Sequence, residues 1–487
     1  MFTTATPSGD GFPSLVIRAE ALEPRGAFAE AQARYLDPDP ERVGRLASLL
    51  REKNIGVVAH FYMDPELQGA LSACDWPHIH IADSLEMAGR SVEMVQAGVS
   101  AIVVLGVDFM SENVRAMTDA AGYDHLPVYR VCDRPIGCTL ADAARSPEYT
   151  EYLAEASAAP RSLHVIYVNT GLDIKARAHA ALPTITCTSS NLVRMILQAS
   201  AQVPDLNVWY GPDSYMGENL RYLLTSLREL GPEAVHALHP EHDRNSVERL
   251  VERLHRFRHG ICLVHHSFGD RVVELVERDH PDAMIAAHLE VPGEMFQSAL
   301  LAQQRGEGVV GSTANILGFI TDKVRETVAG GERRHLKFVL GTEPGMVTSI
   351  VRRTRSLLSG GEKGERSDVS VEIIFPVASD AVARSDDESL RIVPGVLPGE
   401  GCSTSGGCSV CPYMKMNSLE AFLSLLERVG SGRAAELQGF APHTYSERIE
   451  GRTVAELGGE TILHMRAYQE TGRLPDALVE DILTRRG

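Results

Sequence analysis

The feature that most constrains the fold is the recurrence of short apolar runs, rich in valine and isoleucine, along the 487-residue chain. Within a group, successive runs begin roughly 20 to 29 residues apart, which is the length of a strand, a crossover helix and two loops. This spacing predicts an α/β fold of parallel strands covered by helices on both faces. The predicted strands are 55–60, 78–83 and 101–106, then 163–169, 184–189 and 206–211, then 260–265, 283–288, 308–312 and 337–341.

The segments between these runs predict helices, clearest at 83–96, 191–201 and 271–278, where apolar residues recur at helical spacing. Wider gaps separate the three groups of strands, so we predict three α/β domains of similar plan. The predicted boundaries are 1–45 for an N-terminal extension, 46–135, 136–235 and 236–345 for the domains, 346–425 for a segment that returns to the core, and 426–487 for a helical tail. A polar loop or insertion is predicted at 357–370.

The charge of the chain excludes several classes of partner. Lys and Arg total 47 against 65 Asp and Glu, a net charge of −18, and such a surface repels nucleic acid and anionic lipid. No apolar run reaches the roughly 18 residues that would span a bilayer. The N-terminal residues are polar and rich in Pro and Gly rather than basic and then apolar. We therefore predict a soluble, cytoplasmic protein without nucleic-acid or membrane partners.

Reactive side chains collect where the predicted strands end. In open parallel sheets, ligands bind beyond the carboxyl ends of the strands. Any one of these residues alone is typical of a cap or a polar surface position, but their succession favours one central site lined by all three domains. The candidates are His60, Tyr62, Asp83, Ser84, Tyr167, Asn169, Thr188, Ser189, His265, His288, Glu290, Ser312 and Thr313.

The eight cysteines are too few for a disulfide scaffold in a chain of this length. Cys408 and Cys411 form a Cys-x-x-Cys pair, which on its own fits a zinc knuckle or a redox pair, although a zinc knuckle needs a second pair and none exists. Cys138, Cys262 and Cys411, one from each domain-sized region, could instead hold three irons of an iron–sulfur cluster and leave the fourth open. Cys74, Cys132 and Cys187 have no such setting and are predicted to be structural.

In these motifs the chain resembles the quinolinate synthase family, the A proteins of bacterial NAD biosynthesis, from about residue 50 to 425. No single motif is specific, but their order and spacing together are. The matching segments are 59–68 (AHFYMDPELQ), 82–88 (ADSLEMA), 106–112 (GVDFMSE), 137–142 (GCTLAD), 167–170 (YVNT), 187–191 (CTSSN), 262–265 (CLVH), 288–290 (HLE), 311–313 (GST), 341–343 (GTE) and 411–417 (CPYMKMN).

The resemblance implies three αβα-sandwich domains in a pseudo-threefold arrangement around a central [4Fe–4S] cluster. It implies a transferase that condenses iminoaspartate with dihydroxyacetone phosphate to quinolinate, releasing phosphate and two waters. The implied cluster ligands are Cys138, Cys262 and Cys411, and Cys408 with Cys411 forms a possible redox pair. Cys402 has no assigned role. The implied substrate contacts are His60, Tyr62, Ser84, Tyr167, Asn169, Ser189, His265, His288, Glu290, Ser312 and Thr313.

Roles follow from the chemistry of these side chains. Glu290 is our choice of general base, since a carboxylate in a closed pocket can take up a proton near neutral pH. Tyr62 or Tyr167 would donate a proton to a developing enolate or a leaving hydroxyl, and His60 and His288 would hold substrate oxygens. Phosphate would be bound without Lys or Arg, by backbone N–H groups at helix starts and by the hydroxyls of Ser189, Ser312 and Thr313.

The expected partners are an L-aspartate oxidase or dehydrogenase, which supplies iminoaspartate, and the iron–sulfur assembly machinery. Three other hypotheses fit parts of the pattern. They are an iron–sulfur hydro-lyase of another substrate, a non-catalytic iron or redox sensor that uses the Cys408–Cys411 pair, and a zinc-stabilised α/β protein.

Overall fold

The structure is a computed structural model that describes residues 11–229, 232–331, 333–360, 368–377, 410–432 and 434–485. The strands in these residues are β1 (Ser14–Ile17), β2 (Leu22–Arg25), β3 (Ile55–His60), β4 (Ile79–Ala82), β5 (Ala101–Leu105), β6 (Val128–Arg130), β7 (Ser162–Tyr167), β8 (Thr184–Cys187), β9 (Asn207–Gly211), β10 (Leu254–Arg256), β11 (Met284–His288), β12 (Gly308–Gly311), β13 (His335–Gly341), β14 (Ser370–Ile374), β15 (Arg448–Ile449) and β16 (Arg452–Thr453).

The α-helices are α1 (Ala27–Arg34), α2 (Pro40–Lys53), α3 (Pro65–Ala73), α4 (Ser84–Gln96), α5 (Asp108–Ala120), α6 (Thr139–Ala143), α7 (Pro147–Ala158), α8 (Leu172–Ala181), α9 (Leu192–Gln202), α10 (Ser214–Glu229), α11 (Pro232–Leu238), α12 (Arg244–Glu252), α13 (Asp270–Asp279), α14 (Gly293–Gln304), α15 (Thr313–Ala329), α16 (Val347–Leu358), α17 (Leu419–Arg428), α18 (Val454–Thr471) and α19 (Asp476–Thr484). Short 3-10 turns lie at His265–Ser267, Pro344–Met346, Met414–Met416 and Ala434–Phe440. None of the helices in the described ranges is both long and apolar enough to cross a membrane.

The described residues form two compact units, each assembled from separate stretches of the chain. The first unit takes its residues from Met1–Asp83, Val131–Ile136 and Leu263–Gly439, and the second from Ser84–Arg130, Gly137–Cys262 and Phe440–Gly487. The α/β class predicted from the sequence is therefore confirmed, since parallel strands alternate with helices in both units. The division into three domains stays a prediction.

The first unit contains a six-stranded sheet in the order β12-β11-β13-β14-β1-β2. The four strands from β12 to β14 are parallel, whereas β1 and β2 are antiparallel additions at one side. Helices α1, α15 and α16 cover an apolar core that includes Leu15, Phe338 and Phe375, all of them buried. Residues 14–25, predicted as part of an extension, thus belong to the sheet.

Glu372 lies on β14, and its side chain contacts residues of three other strands of this sheet. Its carboxylate accepts a hydrogen bond from Ser14 at 2.6 Å and contacts Arg25 at 2.9 Å and His335 at 2.9 Å. Burial opposes ionisation here, but the hydrogen bonds from Ser14 and His335 and the charge of Arg25 hold the pKa of Glu372 below its usual range. Residues 370–374 therefore form an internal strand, although the sequence predicted no strand there.

The second unit contains a parallel four-stranded sheet in the order β8-β7-β9-β10. The parallel strands of the first unit follow the same order, β12-β11-β13-β14, so two of the three predicted groups share one topology. The remaining group supplies parallel pairs of the same kind, β3 with β4 in the first unit and β5 with β6 in the second. This repetition agrees with the similar plan predicted from the strand spacing.

One predicted strand is wrong. Residues 260–265 do not form a strand, because Gly260 makes only an isolated bridge to Asp213 and His265 already lies in a 3-10 turn. The carbonyl of Gly260 accepts hydrogen bonds from both the backbone N–H and the hydroxyl of Ser214, at 2.8 and 2.6 Å. Ile261 is exposed, so the apolar run is not doubly covered. The strand that extends the sheet is β10, six residues earlier at its start, which pairs with β9.

The C-terminal tail is helical, as predicted, and α18 packs on α8 and β8 within the second unit. The hydroxyls of Thr461 and Thr186 lie 2.8 Å apart, and His464 Nδ1 lies 3.2 Å from the carbonyl oxygen of Thr184. Gly458 permits the close approach, since a Cβ there would come within 2.5 Å of the carbonyl oxygen of Leu172.

This contact predicts opposite effects for two adjacent glycines of α18. Gly458→Ala places its methyl group against the backbone of Leu172 and should lower the free energy of unfolding by about 1–3 kcal/mol. Gly459→Ala is the matched control, because its Cβ would meet its nearest neighbour only at 3.8 Å, and it should raise stability by up to about 1 kcal/mol through helix propensity. Urea unfolding followed by circular dichroism measures both. Equal effects of the two substitutions would contradict the close packing of α18 on α8.

Candidate functional site

The ends of three neighbouring parallel strands carry most of the candidate site in the first unit. His288 is the last residue of β11, Ser312 follows β12 and Thr342 follows β13. The register pairs His288 with Gly311 and Ala287 with Gly341, so the residues that follow these strands lie side by side at one edge of the sheet. This is the edge at which parallel sheets bind ligands.

His265, His288 and Glu290 form a buried histidine–glutamate cluster. The two imidazole rings are stacked, with centroids 4.8 Å apart and planes inclined by 13°. The carboxylate of Glu290 lies 3.1 Å from Nδ1 of His265 and 3.7 Å from Nδ1 of His288. Each of the three residues exposes no more than 3% of its surface. The arrangement places a carboxylate between two imidazoles, where it could exchange a proton with a ligand.

Tyr62 connects the end of β3 to this cluster. Its hydroxyl lies 3.0 Å from the hydroxyls of both Thr313 and Thr342. Thr342 Oγ1 in turn lies 3.4 Å from Nε2 of His265. The Tyr62 ring also packs edge-on against His60, with centroids 4.7 Å apart. The structure therefore brings together the predicted residues of the first unit.

Burial decides the protonation of the two flanking histidines. It lowers the pKa of His60 to about 3 and that of His288 to about 4, although the charge of Glu290 opposes both shifts. Both rings are therefore neutral near pH 7. Nδ1 of His60 accepts a hydrogen bond from the backbone of Tyr62 at 3.2 Å, and Nδ1 of His288 accepts one from Glu290 at 3.3 Å. Each neutral ring consequently carries its proton on Nε2, as a donor.

Tyr62 remains protonated for the same reason. Burial raises the pKa of Tyr62 above its usual range, and the nearby charge of Glu290 adds to the shift, while the hydrogen bonds to Thr313 and Thr342 oppose it. A buried phenol next to a carboxylate can donate a hydrogen bond without ionising. The cluster thus combines neutral donors with one acidic group.

Thr342 and Glu343 are missing from the sequence-based list of candidate residues. The hydroxyl of Thr342 contacts both Tyr62 and His265. Glu343, the next residue in the chain, is fully buried. Burial raises the pKa of Glu343 to about 8, against hydrogen bonds from Gly345 and Cys411 and the charge of Lys415. The Gly-Thr-Glu segment was recognised as a motif, and its position after the predicted strand 337–341 was the signal that both residues face the site.

Ser312 has a role within its own helix. It is the N-cap of α15, where its hydroxyl accepts from the backbone N–H of Asn315 at 3.3 Å and donates to that residue's side chain at 2.8 Å. Thr313 follows as the first helical residue and contacts Tyr62. The start of α15 therefore faces the cluster through Thr313.

The remaining predicted substrate residues belong to the second unit. Tyr167 ends β7 and is buried, and Asn169 lies two residues later in the loop before α8. Ser189 follows β8 and Ser84 begins α4. Tyr167 and Cys187 are paired residues of adjacent parallel strands, so Asn169 and Ser189 leave the same edge of that sheet. A single site lined by all of the candidates stays a prediction.

Two of the three predicted cluster ligands lie in segments of the second unit that contact each other. Cys138 is the N-cap of α6, and the hydroxyl of the next residue, Thr139, donates to the carbonyl of Ile261 at 2.8 Å. Ile261 immediately precedes Cys262. The sequence predicted Cys262 inside a strand, but in the structure it lies outside any strand. Cys138, Cys262 and Cys411 are all half-buried. Cys402 and Cys408 lie outside the described residues, so the proposed Cys408–Cys411 redox pair stays a prediction.

The comparisons with known proteins agree on one family. A family profile described as Quinolinate synthetase A protein matches residues 44–357. A quinolinate synthase of Nicotiana tabacum, named chloroplastic, is 53% identical over 99% of this chain and 67% of its own length. The chloroplastic enzyme of Arabidopsis thaliana is 51% identical over 98% of this chain and 68% of its own length. A quinolinate synthase of a Synechocystis strain is 26% identical over 79% of this chain and 87% of its own length.

The predicted cytoplasmic location is wrong on this comparison, since four relatives at 50 to 53% identity carry chloroplastic in their names. The prediction used an acidic, soluble composition and a polar N-terminal stretch. These features do not distinguish a plastid interior from a cytosol.

The two buried histidines predict a loss of stability in acid. Their pKa values rise from about 3 and about 4 to 6.5 on unfolding, so the unfolded chain binds more protons below pH 6.5. The free energy of unfolding should therefore fall as the pH is lowered from 6.5 towards 4, by about 1.4 kcal/mol per pH unit for each histidine. Urea unfolding at a series of pH values measures the slope, which His60→Gln and His288→Gln should each reduce. His125→Gln is the control, because that side chain is exposed. An unchanged slope in both test variants would contradict the prediction.

Proposed function

The chain belongs to the quinolinate synthetase A family, and we propose that it is the quinolinate synthase of NAD biosynthesis in its organism. In this proposal it condenses iminoaspartate with dihydroxyacetone phosphate and releases phosphate and two waters. The observation that carries the proposal is the buried carboxylate of Glu290, held 3.1 Å from His265 and beside His288 and Tyr62. Isomerisation and ring closure both require such a group to move protons.

Glu290 is the proposed general base and, once protonated, the proposed acid. One of its carboxylate oxygens lies 3.1 Å from Nδ1 of His265, and its backbone N–H donates to Nδ1 of His288 at 3.3 Å, so the residue is held on both sides. A carboxylate removed from water takes up a proton from a bound carbon acid at lower cost than a carboxylate in water. His265 contacts both Glu290 and Thr342 and therefore positions the base relative to Tyr62.

The neutral donors of the site would handle substrate oxygens. Tyr62 stays protonated and can donate to a developing enolate or a departing hydroxyl, and Nε2–H of His60 and of His288 can bind carbonyl or carboxylate oxygens. Tyr167 is proposed for the same donor role from the second unit. Since both imidazole rings are neutral, their Nε2–H groups bind substrate oxygens as uncharged hydrogen-bond donors.

Substrate recognition is proposed to involve further side chains and the starts of helices. Asn169, Ser84 and His265 would contact carboxylates, and phosphate would be held near helix starts by Ser189, Ser312 and Thr313. Because the Ser312 hydroxyl already caps α15, we assign phosphate binding at this helix mainly to Thr313 and to backbone N–H groups. Local binding of this kind suits an acidic chain that carries a net charge of −18.

The residues fit the [4Fe–4S] cluster that the family implies. Cys138, Cys262 and Cys411 are half-buried and lie on non-strand backbone, and the Thr139–Ile261 hydrogen bond joins the first two segments. We propose these three as ligands. A cluster held by three thiolates keeps one iron that can act as a Lewis acid. The chain's own groups, Glu290 and the neutral donors, supply the proton transfers.

We also propose that the three αβα-sandwich domains are arranged with pseudo-threefold symmetry around the substrates. The repeated strand order β8-β7-β9-β10 and β12-β11-β13-β14 supports a repeated origin, and the pairs β3–β4 and β5–β6 fit the same plan. An L-aspartate oxidase or dehydrogenase is the proposed source of iminoaspartate, and an iron–sulfur assembly system the proposed source of the cluster.

Glu290→Gln should separate catalysis from cluster binding. The substitution keeps the size of the side chain and removes its basicity, so we expect kcat to fall by about 100-fold or more, with the iron content unchanged. Quinolinate formation from the two substrates, measured after anaerobic reconstitution, provides the assay. Glu294→Gln is the matched control, since Glu294 is exposed on α14 four residues later. Wild-type turnover in Glu290→Gln would remove this residue from the mechanism.

The ligand assignment is tested by Cys138→Ala, Cys262→Ala and Cys411→Ala. After anaerobic reconstitution with iron and sulfide, each variant should lose the bound iron, the cluster absorbance and quinolinate formation, because three thiolates are the minimum set. Cys132→Ala is the control, since Cys132 is also free and half-buried but has no proposed role. Full iron content in any of the three ligand variants would falsify the assignment, and zinc in place of iron would favour a zinc-stabilised protein.

A further inference from the structure

Lys175 is a fully buried lysine in the first turns of α8. Its ammonium donates to the backbone carbonyl of Val168 at 3.1 Å and to that of Thr170, and it lies 3.4 Å from Oδ1 of Asn113. The two carbonyls belong to the residues on either side of Asn169. One side chain therefore fixes the peptide unit that precedes Asn169 and the peptide unit that follows Thr170.

A group of acidic and basic side chains balances the buried charge. Glu112 accepts from the backbone N–H of Leu172 at 2.8 Å, and Asp173 is paired with Arg145 at 3.0 Å. The hydroxyl of Tyr445 lies 3.0 Å from Glu112 and 3.2 Å from Asp173. All of these contacts are within the second unit.

The cost of burying this group indicates that the ammonium has a function. Burial lowers the pKa of Lys175 to about 7, although Glu112 and Asp173 favour the charged form. A methionine could fill a similar volume without desolvating a charge. A methionine at position 175 could not donate hydrogen bonds to the carbonyls of Val168 and Thr170, as the lysine does.

We propose that Lys175 is a positioning residue that holds the Tyr167–Thr170 loop in the orientation in which Asn169 and Tyr167 contact substrate. This inference rests on the proposed function for the role of those two residues. The loop connects β7 to α8. The Val168 N–H donates to the carbonyl of Cys187 in β8 at 2.9 Å and the Thr170 N–H donates to the carbonyl of Val168 at 2.7 Å, and Lys175 adds the contacts to the carbonyls of Val168 and Thr170. Tyr445 lies in the tail beyond the family-matched residues 44–357. Its hydroxyl contacts the carboxylates of both Glu112 and Asp173, which face the buried charge.

The test compares Lys175→Met with the wild-type holoenzyme. We expect KM for the substrates to rise at least tenfold while the iron content stays unchanged, since the loop is displaced and the cluster is not. Leu153→Ala is the control, because it removes a buried side chain of α7 in the same unit and lowers stability without touching the loop. A KM within twofold of wild type in folded Lys175→Met overturns the proposal.

Hydrogen–deuterium exchange adds a readout that does not depend on activity. Peptides covering 167–172 should exchange at least tenfold faster in Lys175→Met than in Leu153→Ala at the same pH and temperature. If Lys175→Met does not fold, Lys175→Gln serves as the second variant, since its shorter, uncharged side chain keeps a polar group but withdraws the ammonium from both carbonyls. Unchanged exchange in Lys175→Gln then overturns the proposal.

The two hypotheses fail in different ways. A wild-type protein that makes no quinolinate contradicts the proposed function, whereas faster exchange of the loop in Lys175→Met would still show that the lysine holds it. Normal quinolinate formation by wild type, together with normal KM and normal exchange in the folded variant, leaves the proposed function intact and removes the role of Lys175.

Discussion

The candidate site depends on a constraint of parallel sheets, which direct the carboxyl ends of adjacent strands to a common edge. In the first unit this constraint brings His288, Ser312 and Thr342 together from three strands that are far apart in the chain. The loops that follow these strands then need only a few residues to build the cluster around Glu290. The same rule places Asn169 and Ser189 at one edge of the sheet in the second unit. The candidate residues therefore follow the ends of strands, because that is where the parallel topology brings distant segments of the chain side by side.

Much of this could be predicted from the sequence. Nine of the ten predicted strands are present, with no boundary shifted by more than two residues, because valine- and isoleucine-rich runs with short connections are characteristic of buried parallel strands. The failure at 260–265 has a local cause, since the ties between Gly260 and Ser214 are tertiary contacts that no periodicity reports. Strands β1, β2 and β14 were missed because they are short, and because residues like Glu372 look like surface positions until their partners are known.

The proximity of four candidate residues could also be predicted, whereas their roles stay predictions. His60, Tyr62, His288 and Glu290 were chosen because they follow predicted strands, and the structure groups them as neighbours. Thr342 and Glu343 follow a predicted strand too, and only their hydrogen bonds distinguish them from ordinary loop residues. Lys175 could not have been chosen from the sequence, since an amphipathic helix ordinarily exposes its lysines. Its burial depends on the way α8 packs against α5.

The place of β1 has a consequence for how the protein is made. Its residues 14–17 pair with 371–374, and Ser14 bonds directly to Glu372, 358 positions later. At a ribosomal rate of about 5–20 residues per second, the partner strand emerges roughly 20 to 70 seconds after β1. Throughout that interval Leu15 and Ile17 have no sheet to cover them. β1 is therefore synthesised long before the strand that covers it, and its apolar side chains wait for that partner until residues 371–374 have been made.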